Sequence, residues 1–200
     1  MHGVVATIVM ATAMFAATNI DDAIVLVVLN IASRAGGAPK RWEIWAGQYL
    51  GIGLIVLVSF LAALGLRGVS VKWAGLLGLI PLFRGIWGLV VLIRDRRVDP
   101  KAHAVATGLV SVAAVTVANG GDNIALYTPA FRIMGIADTG VTLVVFAVCT
   151  AIWCTAGQVA ISHHRVIEVL RRSSWWLVPV ALIALGVYIV GRSGLLGTFG

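Results

Sequence analysis

Residues 17–24 read Ala17-Thr18-Asn19-Ile20-Asp21-Asp22-Ala23-Ile24, and residues 118–125 read Ala118-Asn119-Gly120-Gly121-Asp122-Asn123-Ile124-Ala125. The two stretches are near-copies about a hundred residues apart, and each lies inside an apolar run long enough to span a bilayer. An aspartate near the centre of a spanning helix costs roughly 2.5–3.5 kcal/mol on an insertion scale. Three of them demand compensation, and carboxylates at that depth mark ion or substrate pathways. Packing alone can be met without charge, so a purely structural role does not account for acids in two related places.

The composition agrees with a membrane protein. Sixty per cent of the 200 residues are apolar, 12% are charged, and the mean hydropathy is +1.00. A soluble domain carries about a quarter charged residues. The net charge of +7 does not point to nucleic acid, because the basic residues sit between the apolar runs, where topology needs them. After Met1-His2-Gly3 the chain turns apolar with no basic segment before it, so the first run is expected to be kept rather than cleaved. Cys149 and Cys154 are five apart, which turns a helix by about 140°. They read as small buried hydrophobes rather than as a metal or disulfide pair.

Six apolar runs cover about 4–31, 44–66, 70–93, 105–131, 138–161 and 175–191. Each is close to the 17–25 residues or so that a spanning helix needs, and the last opens on Trp175-Trp176, suited to an interface. The expected fold is an all-α polytopic membrane protein of six transmembrane helices arranged as a 3+3 inverted repeat. Residues 1–93 form the first repeat, 94–104 a basic cytoplasmic loop, and 105–200 the second repeat. An odd number of spans per repeat turns the second upside down, and the acidic motifs fall in the first span of each. Broken, polar helices in inverted repeats are typical of secondary transporters. Gly120-Gly121 and then Pro129 are expected to loosen the fourth span at its motif.

Alternate connectors carry unequal charge. One side holds Arg34, Lys40, Arg41, Arg94, Arg96, Arg97, Lys101, Arg165, Arg171 and Arg172, which makes ten; the other holds Arg67, Lys72, Arg132 and Arg192, which makes four. The positive-inside rule puts the ten in the cytoplasm and both termini outside.

Asn19, Asp21, Asp22, Asn119, Asp122 and Asn123, brought to one level, form an oxygen-rich cage. Oxygen ligands suit hard divalent cations, manganese, calcium or magnesium among them. When the ion leaves, protons can take its place, because neighbouring carboxylates in low dielectric do not all stay ionised unpaired. Metal–proton exchange is the natural coupling. The repeat register stays open: an offset of 100 pairs Asp22 with Asp122, and an offset of 101 pairs Asp21 with Asp122 and Asp22 with Asn123. Thr18, Gln48 and Arg84 are second-rank candidates. Arg84 either pairs with a motif aspartate or snorkels to an interface. Gln48 and Gln158 hydrogen-bond helices or line an inner vestibule. His163 and His164 read as interfacial, and 166–172 as a short amphipathic surface helix.

At Ala17 to Asp22, Gly47-Gln48-Tyr49-Leu50-Gly51, Gly78-Leu79-Ile80-Pro81-Leu82 and Ala118 to Asn123, the chain resembles the cadmium resistance transporter family of the lysine-exporter superfamily. The resemblance implies a transporter, not an enzyme, in a bacterial inner membrane. It implies export of a divalent heavy metal, typically cadmium; manganese, zinc and calcium stay open as substrates. The metal is then the substrate, with no cofactor; the lipid bilayer is the other partner, and the reading leaves room for a homo-oligomer. An exporter of a basic amino acid is the main alternative. An intramembrane aspartyl protease fits less well, because Asn119 stands where that pattern needs glycine and no tyrosine precedes Asp21 or Asp22.

Overall fold

The computed structural model describes residues 3–68, 76, 79–94 and 107–160, together with scattered helical positions between 180 and 191. Helix α1 runs Val4–Gly36 and α2 Arg41–Gly65, followed by a 3-10 turn at Leu66–Gly68. Helix α3 covers Leu79–Arg94, α4 Leu109–Asn119, α5 Gly121–Ile133 and α6 Ile136–Ala160. The sixth apolar run, Trp175-Trp176, His163, His164 and the segment 166–172 lie outside the described residues, apart from those scattered positions.

The ends of these helices are set locally. Gly37 closes α1 in the left-handed region at φ 72°, its N–H bonded to the Ser33 carbonyl at 3.0 Å, a conformation in which glycine meets no Cβ penalty. Glu43 caps the start of α2 by accepting from the Lys40 N–H at 2.6 Å. At the other end of the bundle Thr7 donates to Asp138 Oδ1 at 2.8 Å, tying α1 to the first turn of α6.

Helices α1, α2 and α6 are each long and apolar enough to cross a membrane. The fourth apolar run is two helices, α4 and α5, bent by 67° at Gly120, and as one broken span it would be a fourth crossing. Paired glycines start the break by their low helix propensity. Ile55 of α2 packs closely at the break, where a Cβ on Gly120 would overlap its side chain.

Glycine also sets how closely the helices meet. A Cβ on Gly47 would stand 2.6 Å from Val112 Cβ and 2.8 Å from the Leu109 carbonyl, and one on Gly51 would stand 2.6 Å from Thr116 Cβ. α2 therefore lies directly against α4. Gly157 plays the same part between α6 and α1, where a Cβ would come 2.8 Å from Leu26 Cβ. Small residues at such contacts are how helices associate where lipid gives no hydrophobic drive between them.

Two apolar clusters fill the interior. One takes Met14, Phe15, Ile52, Ile55, Leu126, Tyr127, Phe131 and Phe146; the other takes Val25, Leu26, Leu29, Ile44, Val112 and Cys154. The first is aromatic, with Tyr127 and Phe146 centroids 4.7 Å apart, Phe15 and Phe146 5.5 Å, and Phe15 and Trp153 edge-on at 5.6 Å. Between the two clusters lie the buried polar side chains Asn19, Asp22, Gln48, Thr116 and Asn123. Both cysteines are buried and free, as expected of small hydrophobes.

Candidate functional site

Residues three apart on a helix share a face, so α1 turns Asn19 and Asp22 together into the gap between the two clusters. Asp22 is 4% exposed and Asn19 is fully buried. Asp22 Oδ2 accepts from Gln48 Nε2 at 3.0 Å, and Oδ1 accepts from Asn119 Nδ2 at 3.3 Å. Gln48 accepts in turn, at Oε1, from the Thr116 hydroxyl at 2.8 Å. One chain of bonds thus joins α4, α2 and α1 at the carboxylate.

A turn away lies an amide and hydroxyl half. Asn123 Nδ2 donates to Asn19 Oδ1 at 2.9 Å and approaches the Tyr127 hydroxyl at 3.4 Å. Asn19 Nδ2 donates to the Phe15 carbonyl and to the Tyr127 hydroxyl, both at 2.9 Å, with Thr18 Oγ1 at 3.0 Å. Thr18 Oγ1 sits 2.9 Å from the Tyr127 hydroxyl and donates to the Met14 carbonyl at 2.9 Å. The Trp153 indole N–H donates to the Asn19 backbone carbonyl at 2.6 Å.

Buried polar groups of this kind are tolerated only when paired, and here side chains of different helices supply much of the pairing, with bonds inside α1 and α5 supplying the rest. The partners of Asp22 are neutral amides. They satisfy its lone pairs but bring no positive charge, and an ionised carboxylate at this depth still calls for one. Each amide can present either an N–H or a carbonyl oxygen by a half-turn of its plane. A site that offers N–H groups to a carboxylate when empty can therefore offer oxygen to a cation.

The fold brings together Thr18, Asn19, Asp22, Gln48, Asn119 and Asn123. It leaves Asp21, about 100° further round α1, exposed, while Asp122 is half-buried in the first turn of α5 beside Asn123. Arg84 lies in α3, and its side chain is outside the described residues. Gln158 is half-buried on α6. Among the described residues no three His, Cys, Asp or Glu side chains gather as a metal group. The layer is thus amide-rich with one deeply buried carboxylate. Thr116, Tyr127 and Trp153 were not singled out by sequence. For two of them the signal was helical spacing: Thr116 precedes Asn119 by three and Tyr127 follows Asn123 by four.

Several apolar helices long enough to cross a bilayer, packed around a polar layer at a broken helix, define a multi-pass helical membrane protein. The family of cadmium resistance transporters matches residues 15–199, and the chain belongs to that family. No curated protein and no solved structure matches it.

Proposed function

We propose that the chain exports a divalent metal cation, cadmium first, from a bacterial cytoplasm through the polar layer, with Asp22 as its principal anionic ligand. The observation that carries this is the burial of Asp22 among neutral amides, where a cation supplies the missing charge. Asn119 and Asn123 lend carbonyl oxygens, Asp122 the second carboxylate, and Gln48 orients Asp22. Asn19 and Thr18 support the amide half, Asp21 acts outside the layer, and Arg84 is kept as a coupling residue. Titration of the purified protein with cadmium, manganese, calcium and lysine tests the reading. Heat of binding with cadmium and none with lysine is expected. A lysine-only response favours the basic amino acid exporter, to which a layer with one buried carboxylate is also suited.

The chain is read as six spans in two inverted halves, 1–93 and 105–200, with 94–104 as the cytoplasmic loop between. What supports this is an exchange of partners: α1 packs along α6, and α2 along α4 and α5, so the first helix of each half lies on the second helix of the other. The glycine contacts follow the same exchange, Gly157 on Leu26 and Gly47 on Val112. The ten basic residues on one side support an orientation with both termini outside the inner membrane. A single cysteine introduced at residue 98 is expected to resist a membrane-impermeant thiol reagent in intact cells. Labelling there would reverse the orientation.

Exchange against protons is part of the proposal. Because ligands bind metal in their deprotonated form, metal uptake releases protons. Cadmium entering proteoliposomes is expected to drive protons the opposite way, read by a trapped pH dye. Cadmium flux with no dye response would make the protein a uniporter.

A further inference from the structure

Resting on that reading, we infer that Tyr127 is a positioning residue of the ion site: its hydroxyl fixes the Asn19 and Asn123 carboxamides so that Asn123 presents its carbonyl oxygen, not its N–H, to the cation. Tyr127 belongs to neither acidic motif. It is fully buried, and among the described residues its hydroxyl is the one atom touching Thr18, Asn19 and Asn123 together.

The donor count fixes the orientations. Thr18 gives its only proton to the Met14 carbonyl, so at the Thr18 contact Tyr127 is the donor and its oxygen is left to accept. It accepts from Asn19 and Asn123. Asn123 then has both N–H groups engaged, one on Asn19 Oδ1 and one on Tyr127. Its carbonyl oxygen is the atom left for a cation. Asn19 is locked more fully, with its nitrogen on the Phe15 carbonyl and Tyr127 and its oxygen on Asn123. It holds Asn123 rather than the ion. Reversing the Asn123 amide would set its oxygen against Asn19 Oδ1, acceptor against acceptor. A phenol that accepts from both amides at once prevents that reversal.

Groups that orient metal ligands without touching the metal change affinity by about ten- to a hundred-fold when removed. Tyr127→Phe keeps the ring against Phe146, leaves Asn123 the Asn19 oxygen as acceptor, and leaves Asn19 the Phe15 carbonyl and the Thr18 hydroxyl. In the full-length protein in detergent, cadmium titrated by calorimetry is expected to bind this variant about ten-fold more weakly than the parent. The decisive readout is the same substitution in an Asn123→Asp background. A carboxylate presents oxygen whichever way it turns, so there the loss is expected to shrink to less than about two-fold. Thr18→Val is the second probe, should Tyr127→Phe not fold. Without that acceptor the Tyr127 proton turns towards the amide oxygens, and affinity falls in the parent but not beside Asn123→Asp. Equal losses in both backgrounds, parent-like affinity in Tyr127→Phe, or an Asn123→Asp protein that takes up no cadmium would each overturn the assignment. A parent that binds cadmium while Tyr127→Phe matches it removes this inference alone. A parent that binds none removes the proposed function with it.

Discussion

Asp22→Asn is expected to abolish cadmium transport and to weaken cadmium binding by at least about a hundred-fold, or ~3 kcal/mol. The substitution leaves the shape of the side chain and removes its charge, and the charge is what a cation at this depth meets. Insertion and folding are expected to be normal or slightly better, because a buried carboxylate costs more than an amide. Asp21→Asn, on the exposed face of α1, is expected to change binding little. Asp122→Asn, half-buried beside Asn123, is expected to stop transport as well. Efflux from cells and calorimetry on the purified variants read all three, with expression level as the control. Parent-like binding by Asp22→Asn would remove the site from this layer.

Gly47→Ala is expected to give the largest loss of stability among single small substitutions. The added methyl would stand 2.6 Å from Val112 Cβ and 2.8 Å from the Leu109 carbonyl oxygen, which is backbone and does not swing away. α2 and α4 must separate, and overpacking of this kind costs about 1–3 kcal/mol. Separation also pulls Gln48, the next residue, from Thr116 and Asp22, so binding is expected to fall with stability. Gly53→Ala is the control: nothing lies within 4 Å of a Cβ there, and alanine is favoured over glycine in a helix by about 0.5–1 kcal/mol. Thermal unfolding in detergent should separate the pair clearly. A Gly47→Ala protein that melts with the parent would mean the helices can part freely.

Much of the layer was legible because intramembrane polarity is rare. Thr18, Asn19, Asp22, Gln48, Asn119 and Asn123 stand out against apolar neighbours, and the fold gathers all six. Which of two adjacent acids faces inward was not legible, since Asp21 and Asp22 sit in the same motif and only packing against neighbouring helices, α2 and α4 among them, decides between them. The register was undecidable for a related reason. The contacts Asn19 to Asn123 and Asp22 to Asn119 change places if Asn19 matches Asn119 and Asp22 matches Asn123. The offset is then 100 before the bend and 101 after it, and the extra residue lies at Gly120-Gly121, where α4 gives way to α5. A single rigid alignment fails at that point. Trp153 was hidden for the opposite reason: an aromatic residue in an apolar run reads as core, and its polar end shows its use only when the partners are in place.

The bonds through Gln48 have a direction. Thr116 gives its proton to Gln48, and Gln48 gives one to Asp22, so every link runs from α4 through α2 towards the carboxylate. A metal ion bound at Asp22 would leave this sense intact, because the carboxylate would go on accepting. A proton arriving there on the oxygen facing Gln48 opposes it, setting donor against donor until the glutamine turns over and Thr116 lets go. Thr116 has somewhere to go, since the Val112 carbonyl lies 3.2 Å from its hydroxyl within its own helix. The two occupants of the proposed exchange would thus be unequal for the helices around them: one would preserve the polarity of the connection between α1 and α4, and the other would reverse or break it.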